Sequence, residues 1–132
     1  MQEEYFIDLL EPIELVMLAN EHSSLGSTYF ALYLTLISGY LVAAFLAGSR
    51  LTDSQVKTVN AVFVLSSIFF TLSTLGNFIF SIGYYAKAPF RDSVLGSFYF
   101  MGLFDLLMAI AMIGGIFACL KFMRDIRKDS NG

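Results

Sequence analysis

Hydrophobic and polar positions in this chain do not alternate; they come in blocks. Residues 23–49, 58–86 and 93–120 form three long stretches, and the only charged side chain in them is Asp105. About 20 helical residues cross a hydrocarbon core of about 30 Å, and each stretch exceeds that length. A helix of a soluble bundle would carry a charged face, and none of these does. The pattern predicts an all-α membrane protein in one membrane domain, residues 1–132, with transmembrane helices over 25–48, 56–86 and 94–122.

Ahead of the first block the spacing changes. Tyr5, Phe6, Leu9, Leu10, Ile13, Val16 and Met17 recur with a helical period, while Glu4, Asp8 and Glu11 fall opposite. An N-terminal amphipathic helix over 3–20, lying in the membrane surface, is the expectation. Packing of that helix on its own bundle or on a neighbouring subunit is the alternative. Pro12 either interrupts it or starts a second helix. The segment lacks a basic n-region and an unbroken apolar core, so it does not read as a signal peptide.

The connections are short. In "RLTDSQVK", Thr52 and Gln55 have capping-box spacing, which starts the second helix near Thr52 or Asp53. In "AKAPFRDS", Pro89 breaks the chain, and Asp92 or Ser93 serves as the next N-cap. Residues 123–132 form a basic tail.

Composition agrees with the blocks: 57% of residues are hydrophobic and the mean hydropathy is +0.70, against about 45–50% apolar in soluble proteins. The net charge of −3 conceals an asymmetry. Residues 1–21 hold acidic groups and no Lys or Arg. Three spans put the N-terminus and second loop on one side, with Lys87 and Arg91. The other side carries Arg50, Lys57, Lys121, Arg124, Arg127 and Lys128. The positive-inside rule then predicts an outer N-terminus and a cytoplasmic C-terminus. The few basic residues lie against the membrane and suggest no nucleic-acid surface.

Asp105 is the candidate for chemistry. An aspartate at mid-depth costs about 2.5–3.5 kcal/mol on insertion scales, so it should face protein or water. No Lys or Arg lies at that depth to hold it ionised, and desolvation favours the neutral acid. Thr71 and Thr74 in the second span, and Thr35 and Ser38 in the first, are expected to complete an intramembrane polar layer with it. Asn60, Ser67, Asn77 and Ser81 extend the second-span stripe as a pore lining or a helix interface. A purely structural role, tying helices together, is the plainer reading. Tyr29, Tyr84 and Tyr85 suit an outer interfacial belt, whereas the deeper Tyr33 and Tyr40 need hydrogen-bond partners.

Several chemistries have no residues to carry them. His22 is the only histidine and Cys119 the only cysteine, so bis-histidine haem, a Cys/His zinc site and an internal disulfide are excluded. The sequence offers no mid-membrane lysine for a Schiff base, no paired carboxylates and no phosphate-binding loop. No cofactor and no catalysis are expected.

The run "SGYLVAAFLAGSRLTDSQ" resembles a pattern in small, uncharacterised three-span proteins of the bacterial inner membrane. That resemblance covers about residues 30–70 and implies a membrane location without an activity. The expected partners are the bilayer and either further copies of the chain or another membrane protein. Three functions follow. The first is a homo-oligomer with a pore or an ion or proton path lined by second-span polar residues and Asp105. The second is an accessory or scaffold subunit. The third is a holin-like lysis protein, for which the acidic N-terminal segment is atypical.

Overall fold

A computed structural model describes residues 12–87 and 91–130, and the side chains of 12–87 and 101–129. The chain forms three helices, α1 (Pro12–Ala47), α2 (Asp53–Lys87) and α3 (Arg91–Ser130), and no strand occurs among the described residues. Each contains a stretch long and apolar enough to cross a membrane. This is the architecture of a small multi-pass membrane protein.

The helices are longer than their apolar blocks. α1, α2 and α3 have 36, 35 and 40 residues. At 1.5 Å per residue they measure about 50–60 Å, well beyond the hydrocarbon core. Residues 12–24 continue α1 without a break, so the part of the expected surface helix that is described is no separate element. Its remainder, residues 3–11, lies outside the described residues, as does Pro89. At the other end α3 runs through the expected tail to Ser130, and it includes Asp92 and Ser93 instead of being capped by them.

The first turn is closed as its sequence predicts. The Gln55 amide donates to Thr52 Oγ1 at 3.3 Å, and the Thr52 amide donates to Gln55 Oε1 at 2.9 Å. This reciprocal pair satisfies two of the orphan donors of α2.

Contacts fix the register. Ser81 Oγ donates to the Ala19 carbonyl at 2.8 Å and Tyr40 Oη donates to Asn60 Oδ1 at 2.6 Å. α1 and α2 are therefore antiparallel and form the principal pair. α3 lies against both more sparsely, parallel to α1: the Tyr33 hydroxyl donates to the Met112 carbonyl, and Arg127 Nη2 meets Asp53 Oδ1 at 2.5 Å.

The outside of the bundle is apolar and part of its inside is polar. Phe45, Leu65, Phe69, Ile79, Leu107 and Phe117 are exposed, while Ser67, Thr71, Thr74 and Ser81 are buried. An apolar exterior of this extent suits lipid and not water. Two hydrophobic clusters fill the rest. One joins Tyr40, Ala44, Phe63, Cys119 and Met123; the other joins Tyr33, Met108 and Met112.

Candidate functional site

Five serines and threonines behave as the plainer reading expects. Ser27, Thr28, Thr35, Ser38 and Thr58 each donate to the carbonyl four residues earlier and are exposed. Such back-bonding lets a hydroxyl face lipid at little cost. Thr35 and Ser38 thus point away from the bundle interior.

The α2 stripe differs. Asn60, Asn77 and Ser81 find partners across the α1 interface. Asn60 accepts from Tyr40, Asn77 Oδ1 lies 2.9 Å from His22 Nδ1, and Ser81 donates to Ala19. Asn77 Nδ2 also donates to the Ser73 carbonyl at 2.8 Å. Between these bonded ends lie Ser67, Thr71 and Thr74, whose side-chain oxygens are buried and have no hydrogen-bond partner. They do not fall back on their own helix as the five exposed hydroxyls do.

Asp105 Oδ2 is the fourth buried polar atom without a partner among the described residues. Asp105 shares a face of α3 with Met108 and Met112, which pack in one cluster with Phe70, Leu75 and Phe78 of α2. Extending the Arg127–Asp53 and Tyr33–Met112 contacts along the helices sets Asp105 level with Thr74 and Leu75, and with residues 26–30 of α1. Thr71 is one turn away. Thr35 is about two turns further along α1. Asp105 thus lies near the depth of Thr74 and Thr71, with Ser67 about two turns further along α2; Thr35 and Ser38 are set apart by their exposure and their bonds to their own helix.

Rings bracket the three hydroxyls. On one side Phe63 stacks on Tyr40 with centroids 4.0 Å apart. On the other Phe78 seats on Gly26: a Cβ there would lie 3.1 Å from the ring, so the missing side chain permits the close approach. An unsatisfied buried polar group costs about 1–3 kcal/mol. Four such atoms occur here, spread over about two helical turns. All are oxygens, of three hydroxyls and one carboxyl, a set suited to hydrogen bonding and hard cations.

His22, Tyr33 and Gly115 were not singled out as site residues by sequence. His22 stacks on Tyr84 at 5.5 Å and lies 5.6 Å from Phe80, so it closes the bundle beside Asn77. Gly115 admits the Tyr33 hydroxyl to α3, since a Cβ there would lie 2.7 Å from Tyr33 Oη. A lone histidine at the edge of an apolar block was the available signal for the first. Nothing in the spacing marked the glycine.

Of the expected outer tyrosines, Tyr29 meets Phe69 edge-on at 6.2 Å and Tyr85 donates to Asn20 Oδ1. Comparison with family models, with curated proteins and with solved structures finds no match to this chain.

Proposed function

We propose that this chain is a non-catalytic membrane protein that assembles with copies of itself and passes a proton or small monovalent cation through the layer of Asp105, Ser67, Thr71 and Thr74. One observation carries the reading: these four side chains bury polar atoms without partners, spaced over about two helical turns. Asp105 is only partly buried on α3, beside exposed Leu103, Phe104, Leu106 and Leu107. A second copy covering that face would complete the enclosure of a carboxyl that is costly against lipid. The α2 stripe is occluded by its own α1, so the path runs within each bundle and not along a pore lined by α2 from several chains.

The test is reconstitution of the full chain in liposomes with an internal pH-sensitive dye, together with the mass of the detergent-solubilised particle. Proton or sodium flux from a closed oligomer is the expected result. A monomer without flux overturns the reading and leaves that of an accessory subunit. Toxicity on induced expression, with leakage of large solutes, would instead favour the holin-like reading.

Orientation belongs to the same proposal: a bacterial inner membrane, outer N-terminus and cytoplasmic C-terminus, from two against six basic residues on the two sides. An alkaline phosphatase fusion after Gly132 should be inactive and a cytoplasmic reporter there active; the opposite pair rejects the orientation.

A further inference from the structure

A recess of about 560 Å³ opens where α2 begins and α3 ends. Lys57, Arg124, Arg127 and Lys128 stand around it, and Val56, Leu120 and Met123 supply its apolar lining. Asp53 is its one acidic member, and that carboxylate is already held by Arg127 at 2.5 Å. Lys57, Arg124 and Lys128 make no ion pair among the described residues. Asp125 and Asp129, on the same turns of α3, are not part of the lining.

The position of the recess matters as much as its charge. Leu120 is the last residue of the third apolar block and Lys121 begins the charged segment. Asp53 and Lys57 flank the start of the second block in the same way. The recess therefore straddles the boundary between hydrocarbon and headgroup. Asn60 also lines it; its side-chain oxygen is taken by Tyr40, which leaves the amide NH₂ for a ligand. Below Arg124 on the same face of α3, Phe117 is exposed and continues the apolar surface to greater depth.

The geometry points to a binding site for one anionic phospholipid, phosphatidylglycerol being the simplest example. Its phosphate sits among Lys57, Arg124 and Lys128, a glycerol-ester carbonyl accepts from the Asn60 amide, and an acyl chain runs over Val56, Leu120 and Phe117. A free phosphate would use the cations alone. The apolar lining and its place at the hydrocarbon boundary select the lipid. Basic recesses between helices at a membrane surface bind such headgroups, and long basic side chains reach the interface from below. This inference does not depend on the path through Asp105.

The full chain in phosphatidylcholine vesicles, with spin-labelled phosphatidylglycerol or phosphatidylcholine as the probe, tests it. The motionally restricted fraction gives the relative affinity of the two lipids. The expected result is a clear preference for phosphatidylglycerol, reduced about fivefold by Lys57→Gln or by Arg124→Gln, as a single basic group near an anionic surface contributes. The double variant loses the preference, Arg124→Lys keeps most of it, and Lys121→Gln, outside the recess, leaves it unchanged. Equal losses from Lys121→Gln would show a diffuse surface potential and overturn the site. So would a wild-type protein with no preference. Displacement of the labelled lipid by glycerol phosphate would replace the lipid with a soluble phosphate ligand.

Discussion

Liposomes containing the Asp105→Asn protein should show at least about a tenfold loss of proton or cation flux, a barrier rise of about 1.4 kcal/mol, while the particle mass stays unchanged. Asparagine fits the same volume and keeps a carbonyl oxygen and a donor in the layer of Ser67, Thr71 and Thr74. It cannot take up and release a proton at that depth, and it carries no charge to balance a cation. Asp105→Leu removes the hydrogen-bonding group altogether. It should abolish flux as well and, with the partner that the covering copy supplies to the carboxyl lost, weaken assembly by about 0.6–1.7 kcal/mol, the range of intramembrane hydrogen bonds. The pair of variants separates transport from cohesion. Loss of assembly with Asn retained in function would make Asp105 a helix tie. If Leu changes neither flux nor mass, the layer has no role in either.

Gly115→Leu should destabilise the bundle by about 2–4 kcal/mol, from overpacking and from one lost buried hydrogen bond. The steric argument is local. A Cβ on Gly115 would stand 2.7 Å from Tyr33 Oη and 3.0 Å from Ile37 Cδ1. Tyr33 is 2% exposed and its hydroxyl is committed to the Met112 carbonyl, so the ring has nowhere to withdraw without breaking that bond. Leucine adds three more carbons and drives α3 from α1. Gly114→Leu is the control, because a Cβ at Gly114 meets nothing within 4 Å; it should change stability by no more than about 0.5 kcal/mol. Detergent-denaturation midpoints of the two variants check the contrast. Equal midpoints would mean that α3 does not approach α1 through Gly115. Tyr33→Phe should recover part of the loss in Gly115→Ala, since it removes the atom in collision.

The number of helices was legible because charge-free blocks of such length have few alternatives. The lengths were not. Hydropathy reports where a helix meets lipid, whereas helix termini depend on backbone hydrogen bonding, which continues into water. This is why α1 and α3 take in residues 12–24 and 123–130, beyond the apolar blocks. Thr52 and Gln55 were readable as a cap because the reciprocal bond is strictly local. The polar layer was half readable. A 3.6-residue period placed Ser67, Thr71 and Thr74 on one face, but counting from block midpoints neither set Asp105 opposite Thr74 nor showed that Thr35, near Ser67 in depth, turns outward. Actual depth follows from the interhelical register, which Ser81–Ala19 and Arg127–Asp53 set and no single helix encodes. Whether a hydroxyl turns inward or onto its own backbone is likewise decided by the neighbouring helix. Tyr33 and Tyr40 were expected to need partners and have them, yet their identity, a Met112 carbonyl and an Asn60 amide, comes only from packing.

The two sides of this bundle differ in how freely their sequences can drift. α3 reaches the others largely through Met108, Met112, Cys119 and Met123. Methionine is unbranched and adapts its shape to the gap available, and swaps such as Met to Leu usually cost less than about 1.5 kcal/mol. The α1–α2 seam is built instead from directional bonds and stacked rings: Tyr40 with Asn60 and Phe63, His22 with Asn77 and Tyr84, Ser81 with Ala19. There each side chain has a specific counterpart, so an allowed change on one helix requires a matched change on the other. Sequences that keep this fold should vary singly along most of the inner face of α3, with Gly115 held constant, and in correlated pairs between α1 and α2.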